Sequence, residues 1–184
     1  MAVSTPICDF GWKAPDFSLP GIDGQLWTPA RAMGSRGLLV MFICNHCPYV
    51  QAIAGRLARD CRDLSGLGIG SIAVMSNDSA QYPEDSFENM KIFASSHRFP
   101  FPYVIDDSQA VARAYDAVCT PDFFGFNKEF QLQYRGRLDS SGKNPAPQDA
   151  RRDLFWAMKQ VAETGQGPAQ QIPSLGCSIK WREA

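Results

Sequence analysis

Two cysteines separated by two residues, in the run Cys44-Asn45-His46-Cys47-Pro48, carry the clearest chemistry in this chain of 184 residues. A thiol attacks a disulfide as its thiolate, and an unperturbed cysteine, with a pKa of about 8.5, is mostly protonated at neutral pH. Whatever stabilises the anion therefore activates the group. Two intervening residues let both thiols meet across one turn, so a mixed disulfide formed on one is resolved by the other. His46, directly before Cys47, is placed to stabilise a thiolate by charge or hydrogen bond. A solvated loop histidine is the equal alternative. A stabilised thiolate would make the disulfide a stronger oxidant.

The flanking residues say where such a pair would sit. Leu38 to Ile43 is a continuous apolar run of strand length, as expected of a strand covered on both faces. Pro48 suits the first turn of a helix, where its missing N–H is not needed. Val50, Ile53, Ala54, Leu57, Cys61 and Leu64 recur at helical spacing, and the helix is expected to end near Ser65-Gly66. The pair then lies at a strand-to-helix turn. Cys47 falls near the helix start, where unpaired N–H groups and the macrodipole favour an anion.

The rest of the chain supplies elements to support that turn. The segment up to residue 37, rich in Gly and Pro, predicts short edge strands and a hairpin around Asp23-Gly24. Ile69 to Met75 reads as a second buried strand, and Asp85 with Glu88 as a capping box opening a helix to His97. Tyr103 to Ile105 is a short strand and Ser108 to Ala117 a short helix. Phe123 to Phe126 and Phe130 to Arg135 form a hairpin about Asn127-Lys128-Glu129, and a last helix runs from Asp149 to Glu163. Alternating βα units followed by a hairpin and a helix indicate one α/β domain over residues 1–184. Its central mixed sheet is flanked by helices, with an N-terminal strand or hairpin extension.

Composition excludes other classes of partner. With 18 Lys+Arg against 19 Asp+Glu there is no electrostatic reason to expect nucleic acid or an anionic membrane surface. No run approaches the ~18 apolar residues of a membrane span. The start Met1-Ala2-Val3-Ser4-Thr5-Pro6 lacks the basic and apolar regions of a secretory signal, so the cytoplasm is the expected address. In a reducing compartment a close cysteine pair reads as catalytic or metal-binding rather than as a staple. Zinc wants four ligands, yet there is no second Cys-x-x-Cys, and the only other histidine, His97, lies on a separate predicted helix. Cys44, His46 and Cys47 with a distant fourth ligand is therefore the lesser reading, and no metal or cofactor is expected.

Several stretches carry a family likeness: Ala14-Pro15-Asp16-Phe17, Cys44 to Val50, Ser76-Asn77-Asp78 with Tyr82-Pro83-Glu84-Asp85, Cys119 to Phe124, Tyr134-Arg135-Gly136 and Gly176 to Trp181. In these the chain resembles the thioredoxin-like superfamily, on the branch of alkyl hydroperoxide reductase and thiol-specific antioxidant proteins. Within that branch it is similar to small bacterial proteins described as peroxiredoxin-like or as thiol–disulfide isomerases. The resemblance implies a thioredoxin fold and a cis-proline facing the cysteines, at Thr120-Pro121. It also implies that the backbone before that proline pairs with the substrate chain and keeps metals from the thiols. Taken alone, Pro121 reads as the start of an edge strand.

The resemblance implies two competing reactions. In disulfide exchange Cys44 is the exposed nucleophile and Cys47 resolves. In a peroxiredoxin-like thiol peroxidase Cys47 attacks the peroxide. Three departures favour exchange: Cys44 where a peroxiredoxin carries threonine, Val40 where it carries proline, and Cys119-Thr120-Pro121 where it carries arginine. Arg135 is a substitute for that arginine or an ordinary exposed one. A binding or chaperone-like module that kept the fold without turnover is the reading from another class. Of the other thiols, Cys61 lies on the apolar helix face, Cys119 packs near the site, and Cys8 has no context. Cys177 is either a further resolving thiol or part of a packed tail. The expected partners are protein or small-molecule disulfides and thiols, with a cellular thiol as reductant.

Overall fold

The computed structural model describes residues 1–183. A short strand β1 (Ala2–Ser4) leads to the two-stranded ribbon β2 (Leu19–Pro20) and β3 (Leu26–Trp27), which turns at Asp23-Gly24 as expected. Thr28 caps the one-turn helix α1 (Pro29–Ala32) through its hydroxyl. There follow β4 (Gly37–Phe42), α2 (Pro48–Gly66), β5 (Ile69–Met75), α3 (Phe87–His97), β6 (Tyr103–Ile105) and α4 (Ala110–Ala114). The chain closes with β7 (Cys119–Thr120), β8 (Asp122–Asn127), β9 (Leu132–Tyr134), α5 (Asp153–Thr164) and β10 (Leu175–Ser178).

The main sheet has the order β6-β5-β4-β8-β9, with β4, β5 and β6 parallel and β8 and β9 antiparallel. Every residue of β4 is buried, as its unbroken apolar run requires of a central strand. Its alternating side chains feed two cores. Leu39 and Met41 join α2, α3 and α5 on one face. Leu38, Val40 and Phe42 join Phe17, Ala112, Tyr115 and, from β8, Phe124 and Phe126 on the other. A second, smaller sheet, β1-β10-β7, is wholly antiparallel and ties the two ends of the chain together. No helix among the described residues is long and apolar enough to cross a membrane.

Three expectations need correction. Asp85 does not cap α3. It ends a one-turn 3-10 helix, and Ser86 accepts the Asn89 N–H instead, because the Asp85 carboxylate is turned inward and fully buried. The helix placed over Ser108–Ala117 is confined to α4, which is preceded and followed by left-handed residues, Gln109 at φ 62° and Asp116 at φ 50°. The last helix begins at Asp153 rather than Asp149. The backbone N–H of Ser140 holds the Arg151 carbonyl in the loop before it, and the first turn is tied to the same loop by the Leu154 N–H on the Leu138 carbonyl.

Leu39, at the centre of β4, has no exposed surface. Replacing it with alanine should cost about 2–5 kcal/mol of unfolding free energy in urea. A loss well under 1 kcal/mol would mean that β4 is not the buried centre of the sheet.

Candidate functional site

β4 ends at Phe42, and the turn Ile43–Cys47 passes directly into α2, with Cys47 as its N-cap and Pro48 in the first turn. Opposite the turn stands Thr120, joined to Pro121 by a cis peptide bond, as the resemblance implied. The Thr120 hydroxyl lies 3.4 Å from Cys44 Sγ, and Cys47 Sγ lies 3.1 Å from the Thr120 carbonyl oxygen. Both sulfurs of the pair thus meet one residue.

The turn is clamped by Asp85, the carboxylate expected from the sequence to open α3. Asp85 Oδ1 accepts the backbone N–H groups of Asn45 and His46, at 2.8 and 3.2 Å. Its Oδ2 meets His46 Nδ1 at 2.7 Å and accepts from Asn77 Nδ2 at 2.8 Å. Asn45 is held as firmly: its side chain donates to the Glu84 carbonyl and accepts from the Tyr103 hydroxyl, and its own carbonyl accepts from Gln51. His46 stacks on Tyr82, with ring planes 3° apart. Its imidazole is therefore engaged by Asp85 and Tyr82, and it is not a free loop histidine.

Cys177 is drawn into the same site by the small sheet. β10 runs antiparallel to β7 with Cys177 opposite Thr120, so their side chains share a face. Cys177 accordingly packs against the cluster containing Cys44 and Cys47. The approach is close, since a Cβ on Gly176 would stand 2.1 Å from the Thr120 carbonyl oxygen. The tail beyond β10 is bound to the clamp through Asn77, whose Oδ1 accepts the Lys180 N–H.

The thiols differ sharply in character. Hydrogen bonding from Cys44, with further contributions from Cys177, Thr120 and the Val50 N–H, outweighs burial and lowers the Cys47 pKa to about 4. Cys44 moves the opposite way, well above the ordinary thiol range. It holds the proton shared with Cys47, it is buried, and it feels the Asp85 charge. Burial, with the Cys47 charge adding to it, pushes Cys177 up to about 11. Cys44 is also not the exposed nucleophile expected, for 1% of its surface and none of Cys47's reaches solvent. All six cysteines are free thiols.

The remaining candidates fall away from the pair. Arg135 is buried and committed to Asp122 at 3.0 Å and to the Asp116 carbonyl, with its guanidinium over the Phe124 ring. Phe124 belongs to the core on the far side of the sheet from Cys44 and Cys47, so Arg135 does not replace the missing peroxiredoxin arginine. Cys119 points its thiol at the Pro121 carbonyl, and its burial raises its pKa strongly. Burial likewise raises Cys61 to about 12 and the half-buried Cys8 to about 11. Cys44, His46 and Asp85 each offer a ligand atom, all within 4.8 Å of one another, as a metal ion would need. Binding one there would cost the short His46–Asp85 bond. Beside Pro121 a mainly apolar cavity of about 330 Å³ opens between Tyr49, Ile53, Phe123, Leu138 and Leu175.

Comparison with known proteins bears on the family and the fold. Residues 10–137 match the model of the AhpC/TSA family. The crystal structure of an uncharacterised conserved protein from Geobacillus kaustophilus is 40% identical, with a TM-score of 0.93, covering 100% of this chain and 98% of that one. That of a hypothetical protein from Sinorhizobium meliloti is 38% identical with a TM-score of 0.91, covering 98% of each. The thioredoxin domain of a thiol-disulfide oxidoreductase from Bacteroides vulgatus shares the fold at 17% identity and a TM-score of 0.58, over 68% of this chain and 86% of that one. No curated protein matches. The fold is thioredoxin-like.

Two measurements test the geometry. Asp85→Asn puts an N–H₂ group among donors and should cost about 1–3 kcal/mol in urea unfolding, as an unsatisfied buried group does; an unchanged midpoint would refute the clamp. Titrating thiolate absorbance near 240 nm in the reduced protein should show one cysteine ionising near pH 4 and retaining its anion from there upward. That transition should vanish in Cys47→Ser, and its absence from the unsubstituted protein would refute the charge assignment.

Proposed function

This chain belongs to the AhpC/TSA family of thiol-dependent redox proteins, and on that basis we propose that it is a thiol–disulfide oxidoreductase working through Cys44 and Cys47. The observation that carries the proposal is the geometry of the pair: at the start of α2 both sulfurs meet Thr120 of the cis Thr120-Pro121 bond, and the pKa directions, down for Cys47 and up for Cys44, suit a nucleophile and its resolving partner. A mixed disulfide on Cys47 is resolved when Cys44 Sγ attacks Cys47 Sγ. The Cys44–Cys47 bond forms, the other sulfur departs with the electron pair, and the Cys44 proton is surrendered. Run backwards, the same step oxidises an incoming thiol. Because the reduced pair keeps a stabilised thiolate on Cys47, the reduced form is favoured, which makes the oxidised pair a ready oxidant.

The peroxidase alternative has Cys47-Pro48 and a low pKa in its favour. Against it, Cys44 takes the threonine position and Arg135 is spent on Asp122. We place the protein in the cytoplasm, exchanging with protein or small-molecule disulfides and recharged by a cellular thiol. The apolar cavity beside Pro121 suits an apolar side chain flanking the substrate's cysteine.

Mild oxidation followed by disulfide mapping should give a Cys44–Cys47 bond, and insulin reduction should fall to background in Cys44→Ser and in Cys47→Ser. Absence of that bond under every oxidant would sink the exchange mechanism. Peroxide consumption surviving in Cys44→Ser but not in Cys47→Ser would assign the protein to peroxide reduction instead.

A further inference from the structure

The proposed exchange leaves a steric difficulty, because neither sulfur of the pair is accessible. A disulfide carried on a peptide cannot align with a sulfur that has no surface, and thiol–disulfide exchange depends on access as well as on charge. Cys177 is partly exposed and has its side chain on the face of β10 that meets the pair. Leu175, two residues earlier and so on the same face of the strand, lines the cavity beside Pro121. One strand face therefore runs from the opening to the buried thiols.

We propose that Cys177 is a third redox-active thiol, the one that meets outside disulfides and passes them inward as a Cys47–Cys177 bond. This rests on the thiol–disulfide exchange reading above. In the reducing direction Cys177 gives up its proton as it attacks one sulfur of the external disulfide, and the other sulfur leaves with the electron pair and takes that proton. The Cys47 thiolate then attacks Cys177 Sγ, forming the Cys47–Cys177 bond and expelling the second external thiolate. Finally Cys44 attacks Cys47 Sγ, Cys177 departs, and the Cys44 proton passes to it. Two electrons have moved from the Cys44–Cys47 dithiol to the external disulfide, and Cys177 is restored.

The reverse sequence oxidises outside thiols. There Cys177 must attack the Cys44–Cys47 bond, and the charge on Cys47 that helps to suppress its ionisation is gone, because Cys47 is then bonded. Gly176 belongs to the same device. Without a Cβ it lets β10 press against Thr120, which brings Cys177 to the pair.

The test uses glutathione disulfide and mass spectrometry on the full chain, in a Cys8→Ser background so that the half-exposed Cys8 does not compete. In Cys47→Ser the glutathione adduct should sit on Cys177, exceeding any on Cys44 by about tenfold or more, as exposure dictates. In Cys44→Ser all glutathione should be released and a Cys47–Cys177 bond should accumulate. Urea midpoints for both variants, with the Cys→Ala counterparts in parallel, establish that they are folded. An adduct on Cys44 or none at all in the first variant, or a glutathione retained on Cys47 with Cys177 free in the second, overturns the assignment. If the unsubstituted chain still forms Cys44–Cys47 under the same conditions, only the role of Cys177 has failed; if it does not, the exchange reading has failed as well.

Discussion

A single buried carboxylate sets the geometry of the whole redox centre. Asp85 is fully enclosed, and an isolated anion there would be costly. It is tolerated because it has four donors, two of them consecutive backbone N–H groups from the residues between the cysteines. Aiming both N–H groups at one oxygen fixes the bend of the turn, and the bend delivers Cys47 to the start of α2. The same carboxylate holds Asn77, and Asn77 holds the Lys180 N–H just beyond β10. The turn, the loop after β5 and the C-terminal tail are thus registered to one another through two side chains, Asp85 and Asn77.

That clamp also has an electrostatic effect. Its negative charge lies on the Cys44 side, where it disfavours a second anion and helps to keep the proton on Cys44. Cys47 sits at the opposite end of the turn, where the helix start favours a negative charge. Two chemically identical side chains are made different by where each faces.

Much of this was legible in the sequence, for reasons that can be named. Leu38 to Ile43 and Ile69 to Met75 announce buried strands because their apolar runs are continuous, and α2 follows from a regular period with Pro48 at its head. These are local signals. Asp85 was misread because an acidic residue three before a glutamate satisfies a local helix-start pattern equally well, and only the fold shows that Ser86 takes that role. Arg135 looked like a surface residue because its partner Asp122 sits 13 residues away, on the neighbouring strand. The β1-β10-β7 sheet had no local signature: it joins the first residues of the chain to the last, and such a pairing leaves no periodicity to read. The family-like ending Gly176 to Trp181 marked the tail as notable without showing that it closes over the thiols.

That small sheet carries a consequence for anyone handling the protein. β10 is its middle strand, so Cys177 is pressed towards the thiols from one side and braced from behind by Ala2 to Ser4, with the Ser178 N–H bonded to the Met1 carbonyl. The outermost residues of the N-terminus are thereby part of the scaffold of a thiol more than 170 positions away. An affinity tag or fusion partner joined ahead of Met1 pulls on the strand that backs Cys177, whereas one carried at the other end follows Arg182, whose N–H is held by Gln109, past the last bond to the clamp. The choice of which end to modify is, for this protein, a choice about its redox chemistry.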